Sequence, residues 1–178
     1  MSHPTPLLRA ATISDAPRLA TLGMQVWLHT YCTQGINHAI AHYVLNEFTA
    51  AKFTTLIADP SRSILVLEQG DNLIAYLTLH HGQVFADDFA DVFANVRNEI
   101  ETLYVQAPFL RQGLGQRLLA QAREQLLQAG ESPAVWLKVN AQNLAAQAFY
   151  QAQGFVIEGE TDFVLDGVAY KNWVMVMR

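Results

Sequence analysis

The chain has 178 residues, 51% of them hydrophobic, and a net charge of −5 from 11 basic and 16 acidic side chains. That length suits a single domain over residues 1–178, large enough to bury a core, and the composition excludes a disordered chain. The absence of any basic stripe or polybasic run speaks against general nucleic-acid binding, no apolar run is long enough to span a bilayer, and a lone cysteine, Cys32, leaves no internal disulfide.

Residues 1–6 lack a charged-then-apolar signal pattern, so the default expectation is a cytoplasmic protein. Residues 7–11 read as a short first strand. Thr12-Ile13-Ser14-Asp15 matches the [ST]-x-x-[DE] start of a helix, and Pro17 suits an early helical turn. Leu19, Leu22, Val26 and Tyr31 give that helix an apolar face, which Gly35 interrupts. The pattern predicts a second helix over 37–58 with Ile40, Val44, Phe48 and Leu56 inward. The continuous apolar run of 63–68 predicts a buried strand. Gln69-Gly70-Asp71-Asn72 is turn chemistry, and 73–80 is the returning strand of a hairpin. Residues 82–98 carry Asp87, Asp88 and Asp91 among aromatics and valines. Their acidity is either a solvated face or an attraction for a cationic ligand.

Residues 97–105 read as a strand, followed by Leu110-Arg111-Gln112-Gly113-Leu114-Gly115-Gln116 opening a helix over 113–129. Leu114, Leu118, Leu119, Ala122 and Leu126 recur on one face of that helix, and Gly130 ends it. A strand over 133–140, a helix over 143–153 and strands over 155–160 and 170–177 complete the chain. Asp166-Gly167 supplies a hairpin turn between the last two.

A strand leading through glycines into a helix makes an anion site. The first N–H groups of the helix have no internal partner, and its dipole is positive there. Arg111, Arg117 and Arg123 add positive charge to an otherwise acidic chain. The P-loop pattern fails because no Lys-Ser or Lys-Thr pair follows the glycines. The dinucleotide fingerprint fails because its third glycine position holds Leu118. What remains, x-Arg-x-Gly-x-Gly, resembles the pyrophosphate loop of the GNAT superfamily of acyl-CoA N-acyltransferases, [QR]-x-x-G-x-[GA]. In that alignment the leading Gln or Arg position holds Leu110, with Arg111 beside it. Downstream, the strand Trp136-Leu137-Lys138-Val139-Asn140 precedes Asn143-x-x-Ala146-x-x-Phe149-Tyr150 and then Gly154-Phe155. This is similar to the family's strand, N-x-x-A-x-x-F-Y and G-F signature, in the family's order.

The resemblance covers about residues 100–155. It implies a mixed, mostly antiparallel central sheet flanked by helices, with acetyl-CoA as co-substrate and no metal. By the same resemblance Leu103, Tyr104 and Val105 with Arg111, Gln112, Gly113, Leu114, Gly115 and Gln116 hold the co-substrate, Asn143 bonds its pantetheine arm, and Tyr150 sits near the thioester sulfur. Trp27, Tyr31 and the segment 31–36 would border the acceptor pocket; otherwise the two aromatics are core packing.

The chemistry makes two demands. The departing thiolate must be protonated, and a tyrosine with a pKa near ~10 can donate to a thiol near ~8.5 at little cost. The acceptor amine, with a pKa near ~10.4, is neutral only about once in 2,500 at pH 7, a cost of about 4.6 kcal/mol, so a general base is needed. Glu99 matches the family's glutamate, six residues before Val105, and Glu101 shares its strand face. Tyr150 is therefore expected as the acid and Glu99 or Glu101, directly or through water, as the base, with Glu99 preferred and backbone N–H groups around Val105 holding the oxyanion. His38 and His42 are four apart without a third metal ligand in register. Cys32 is expected to be a buried, inert thiol, and His80-His81 to end a strand, where it could face the acceptor but is not assigned a role.

The expected activity is transfer of acetyl from acetyl-CoA to a primary amine by direct attack in a ternary complex, most like the bacterial polyamine acetyltransferases. Thr102, where relatives often carry arginine, departs from that subgroup. The alternatives are a non-catalytic acyl-CoA-binding module and an acetyltransferase of protein amino groups. The expected partners are acetyl-CoA and an amine, with no nucleic acid or membrane. A homodimer is compatible with the family.

Overall fold

The computed structural model describes residues 5–85 and 96–178. Asp87, Asp88 and Asp91 lie outside the described residues. Among these residues the chain forms seven strands and five α-helices, with strand order β1-β2-β3-β4-β5-β7-β6. The chain divides into two compact units, Met1–Thr78 with Thr102–Ala120, and Leu79–Glu101 with Gln121–Arg178. Strands β3 (Asn72–His80) and β4 (Glu99–Val105) and helix α4 (Leu114–Gln128) contribute residues to both.

In the first unit, β1 (Leu7–Ala10) runs antiparallel to β2 (Arg62–Gln69), with Leu7 opposite Glu68 and Ala10 opposite Leu65. The middle of β2 and nearly all of β3 are buried, which is why 63–68 reads as a continuous apolar run. The Thr12–Asp15 start signal forms: the Asp15 carboxylate accepts the Thr12 N–H at 2.8 Å, and α1 (Ala16–Tyr31) follows. The helix predicted over 37–58 is two helices, α2 (His38–Glu47) and α3 (Ala50–Ala58). The break comes at Thr49, whose hydroxyl accepts the Lys52 N–H at 3.2 Å and starts a new helix. Leu19, Leu22, Phe53, Val66 and Tyr76 form this unit's core. Gly23 permits the close approach of α1: a Cβ there would lie 2.8 Å from both the Phe48 ring and the Tyr76 hydroxyl.

A charged network in this unit is centred on one buried carboxylate. Asp15 is fully inaccessible and accepts from Arg9 at 2.7 and 3.0 Å and also from Arg18. Glu68 accepts from Arg9 at 2.9 Å and from Arg18 at 3.0 Å. The Arg9 hydrogen bonds hold the Asp15 carboxyl well below the usual carboxylate range.

In the second unit, β4 pairs parallel with β5 (Val135–Asn140), Glu99 opposite Trp136. Beyond it lie β7 (Val168–Met177) and β6 (Val156–Leu165), each ten residues long and antiparallel to its neighbour. These closing strands are longer than the 155–160 and 170–177 expected from sequence. Asp166 and Gly167, at φ 49° and 76°, make the tight turn that extends the pairing to its tip. Phe85, Val96, Ala134, Trp136, Val174 and Val176 form the core. The Trp136 indole donates to the Gln83 carbonyl at 2.8 Å.

Candidate active site

The second unit assembles four ionisable side chains from three strands. Glu99 opens β4 and is 6% exposed, while Glu101 lies at the surface. The register that sets Glu99 opposite Trp136 carries Lys138, two residues on, to the same face of β5. Lys138 Nζ stands 3.2 Å from the Glu99 carboxylate and 5.4 Å from the centre of the Trp136 ring. Burial pushes the Glu99 carboxyl up and the Lys138 ammonium pulls it back; Glu101 adds to the rise, and His80 opposes it more weakly. At the end of β3, His80 Nδ1 lies 3.0 Å from Glu101 Oε1. One ring nitrogen of His80 and one oxygen each from Glu99 and Glu101 lie within 4.8 Å of one another, so these three are the side chains that could hold a metal among the described residues. His81 belongs to a different contact, 3.9 Å from Glu131.

Sequence reasoning singled out Glu99 and Glu101, set His80 aside and missed Lys138 in any catalytic role. No local signal marks either residue. His80 meets a partner 21 residues further along, and Lys138 reaches Glu99 only through strand register.

Helix α5 (Leu144–Ala152) also lies in this unit. Asn143 is its cap and not its first residue: the side-chain oxygen accepts the Ala146 N–H at 3.1 Å. The amide NH2 is then the group it can offer a ligand. Tyr150 is 8% exposed. Its ring centre is 5.2 Å from that of Phe149 and 5.4 Å from that of Phe155.

The first unit carries the glycine loop. Leu103, Tyr104 and Val105 of β4 are half-buried, and the Tyr104 ring meets Tyr76 edge-on at 5.6 Å. After a 3-10 turn at Ala107–Phe109 the chain exposes Leu110, Arg111, Gln112 and Gly113. Arg111 and Gly113 both sit in the left-handed region, at φ 59° and 75°, a geometry that tightens the turn just ahead of α4. Arg117 N–H bonds the Gly113 carbonyl at 3.0 Å, so the N–H groups of Leu114, Gly115 and Gln116 precede the helix ladder. Such a turn at a helix start is a backbone cradle for an anion. Of the three arginines expected to add charge, two are engaged elsewhere. Arg117 donates to the Pro6 carbonyl at 2.6 Å. Arg123 donates to the Pro133 and Arg178 carbonyls at 2.9 and 3.3 Å.

Trp27 is buried, with its ring centre 5.2 Å from Tyr31 and 5.0 Å from Tyr43, while Tyr31 remains 38% exposed. His42 faces the Asn46 amide, four residues on. Cys32 is partly exposed, and burial raises its thiol above the ordinary value. An open groove in the first unit is lined by Arg18, Thr21, Gln25, Asp71, Gln106 and Phe109, among others; none of the expected site residues lines it.

The model of the acetyltransferase (GNAT) family matches residues 26–155. An uncharacterised N-acetyltransferase of Mycobacterium tuberculosis is 30% identical over 164 residues, covering 92% of this chain and 97% of that protein. Among solved structures, the paia N-acetyltransferase of Thermoplasma acidophilum, in complex with coenzyme A, matches with a TM-score of 0.75 at 22% identity, over 99% of this chain and 98% of that one. Arabidopsis thaliana NAA60, in complex with acetyl-CoA, matches with a TM-score of 0.71 at 15% identity, over 97% and 98%. These likenesses share the mixed, mostly antiparallel sheet flanked by helices that the sequence motifs implied.

Proposed function

The chain belongs to the acetyltransferase (GNAT) family and is an N-acetyltransferase; on that premise we propose that it moves acetyl from acetyl-CoA to a primary amine by direct attack in a ternary complex. The observation that carries this reading is the buried Glu99 carboxylate with Lys138 at 3.2 Å. A carboxylate held in that setting suits the removal of a proton from an ammonium group. The paia enzyme and NAA60, which carry coenzyme A or acetyl-CoA, support the choice of co-substrate.

In this mechanism the N–H groups at the start of α4 hold the pyrophosphate, with Arg111 beside them and residues 103–105 in contact with the co-substrate; the role that the family resemblance implies for Asn143 is a hydrogen bond to the pantetheine arm. The acceptor arrives as an ammonium ion. Glu99 takes its proton, the free amine attacks the thioester carbonyl, and a C–N bond forms. Backbone N–H groups around Val105 hold the oxyanion. The C–S bond then breaks, Tyr150 gives a proton to the departing thiolate, and the second proton shed by the acylated nitrogen restores the Tyr150 phenol. A small amine, polyamines included, is the acceptor class proposed. A purely acyl-CoA-binding module would need neither Glu99 nor Tyr150.

The test is release of free CoA thiol from acetyl-CoA in the presence of polyamines, amino acids, aminoglycosides and short peptides. Release that depends on a small amine supports the proposal. Tight acetyl-CoA binding without release by any amine would replace it with the binding module, and release by peptides alone would move the acceptor to protein amino groups.

A further inference from the structure

A base that takes one proton per turnover must also lose one. Glu99 is poorly placed to lose it directly, because it is 6% exposed. Its neighbours define where the proton can go. Lys138 faces it from β5, Glu101 from its own strand β4, and His80 from β3. An ammonium group offers only donors, and that of Lys138 points its charge at Glu99 from 3.2 Å. Glu101 is engaged by the His80 ring. His80 differs from both. It is the one imidazole in the cluster, a side chain that can both accept and donate a proton through its two nitrogens, and Glu101 Oε1 lies 3.0 Å from its Nδ1. A carboxylate on one imidazole nitrogen fixes the ring and stabilises its protonated form. The His80 side chain is 18% exposed and that of Glu101 25%, against 8% for Glu99. The groups therefore form a gradient from a buried carboxylate to a solvent-touching imidazole–carboxylate pair. The 4.8 Å within which their atoms lie is a span that one bridging water covers.

We propose that His80, oriented by Glu101, is the outlet through which the proton taken up at Glu99 reaches solvent. The inference rests on the acetyltransferase reading above and extends it to two residues with no role in the attack itself. The step balances simply. Neutral Glu99 gives its proton to the imidazole and returns to a carboxylate, held again by Lys138. The imidazolium, paired with Glu101, then releases the proton to bulk water or buffer. His80 acts here through Glu99 and is a positioning residue for the proton, not a group that touches the acceptor.

The experiment compares wild type, His80→Ala and His80→Gln by acceptor-dependent thiol release across pH 6–9, with and without added imidazole, alongside acetyl-CoA binding and thermal melting. The expected result is a fall in kcat of about 10-fold or more in both variants, with the KM for the amine and the affinity for acetyl-CoA within about twofold of wild type. Added imidazole should restore kcat of His80→Ala in proportion to its free-base concentration, which replacing a purely structural side chain would not do. Wild-type kcat in both variants across the pH range overturns the proposal. So does a loss that imidazole leaves untouched while the melting temperature is unchanged. If His80→Ala melts lower, the imidazole response of His80→Gln decides. If wild type itself releases no thiol with any amine, the acetyltransferase reading fails and the outlet with it, a result distinct from an active wild type with indifferent variants.

Discussion

Lys138 Nζ lies 3.2 Å from the carboxylate of Glu99, on the strand parallel to its own. The ammonium opposes what burial does to that carboxyl: burial favours the neutral acid, and the cation favours the anion. Only the anion can accept a proton, so Lys138 would set the lower edge of the working pH range. Lys138→Met keeps the aliphatic stem and removes the charge. The Glu99 pKa should then climb further, and the acidic limb of kcat/KM should move to higher pH. Measurement of kcat/KM for the amine from pH 5 to 9 checks this. An unmoved limb would separate Lys138 from the base.

Tyr150 tests the opposite half of the reaction. Its ring packs between Phe149 and Phe155, so Tyr150→Phe preserves the packing and removes only the hydroxyl. If that hydroxyl protonates the thiolate, kcat should fall by about 10²-fold or more, with the KM for acetyl-CoA changed far less. A good leaving group, such as an aryl thioester, should recover much of the loss. Full turnover with acetyl-CoA in Tyr150→Phe would contradict the assignment.

A stability prediction rests on Asp15, which is fully buried and bonded to Arg9, Arg18 and Thr12. Replacing it with Asn leaves two arginines facing a neutral amide. Breaking a buried pair from one side costs about 3 kcal/mol, at the low end of the usual range because both arginines reach solvent. The pH dependence has a definite sign. The folded carboxyl lies below its ordinary 3.8, so its contribution is present above that value and lost as pH falls through the folded one. The stability gap between wild type and Asp15→Asn, followed by urea melts, should therefore be widest near neutrality and narrow as the solution is acidified below about pH 4.

Much of this was legible in the sequence where local chemistry decides the outcome. The Thr12–Asp15 helix start, the turn at residues 69–72, the glycine turn ahead of the helix at 113 and the order of strands and helices all follow from short-range preference. The break at Thr49 was missed because apolar periodicity runs through it; the hydroxyl cap on Lys52 ends one helix and begins the next. The two closing strands were cut short because their tips bury no residue fully: β7 is exposed on both faces over its first four residues, and the outer half of β6 only alternates between exposed and half-buried. In the proposed site, Glu99 could be singled out by its match to the family's glutamate, six residues before Val105. His80 and Lys138 could not, because each meets its carboxylate across strands, through a register no local pattern encodes. Arg117 and Arg123 read as charge for a phosphate group, yet their guanidinium groups tie down backbone carbonyls.

The central claim is that Glu99 removes the acceptor's proton, and Glu99→Gln tests it most directly. The amide keeps the size and an oxygen for Lys138 but cannot accept a proton at neutral pH. The measurement is kcat/KM for the amine against pH, in wild type and variant, with acetyl-CoA affinity measured in parallel. The wild-type profile should rise with pH through a value above the ordinary 4.5 of a glutamate, as burial requires. In Glu99→Gln that limb should disappear, with kcat about 10²–10⁴-fold lower and acetyl-CoA bound as before. A variant that keeps both the wild-type rate and the wild-type limb would contradict the account.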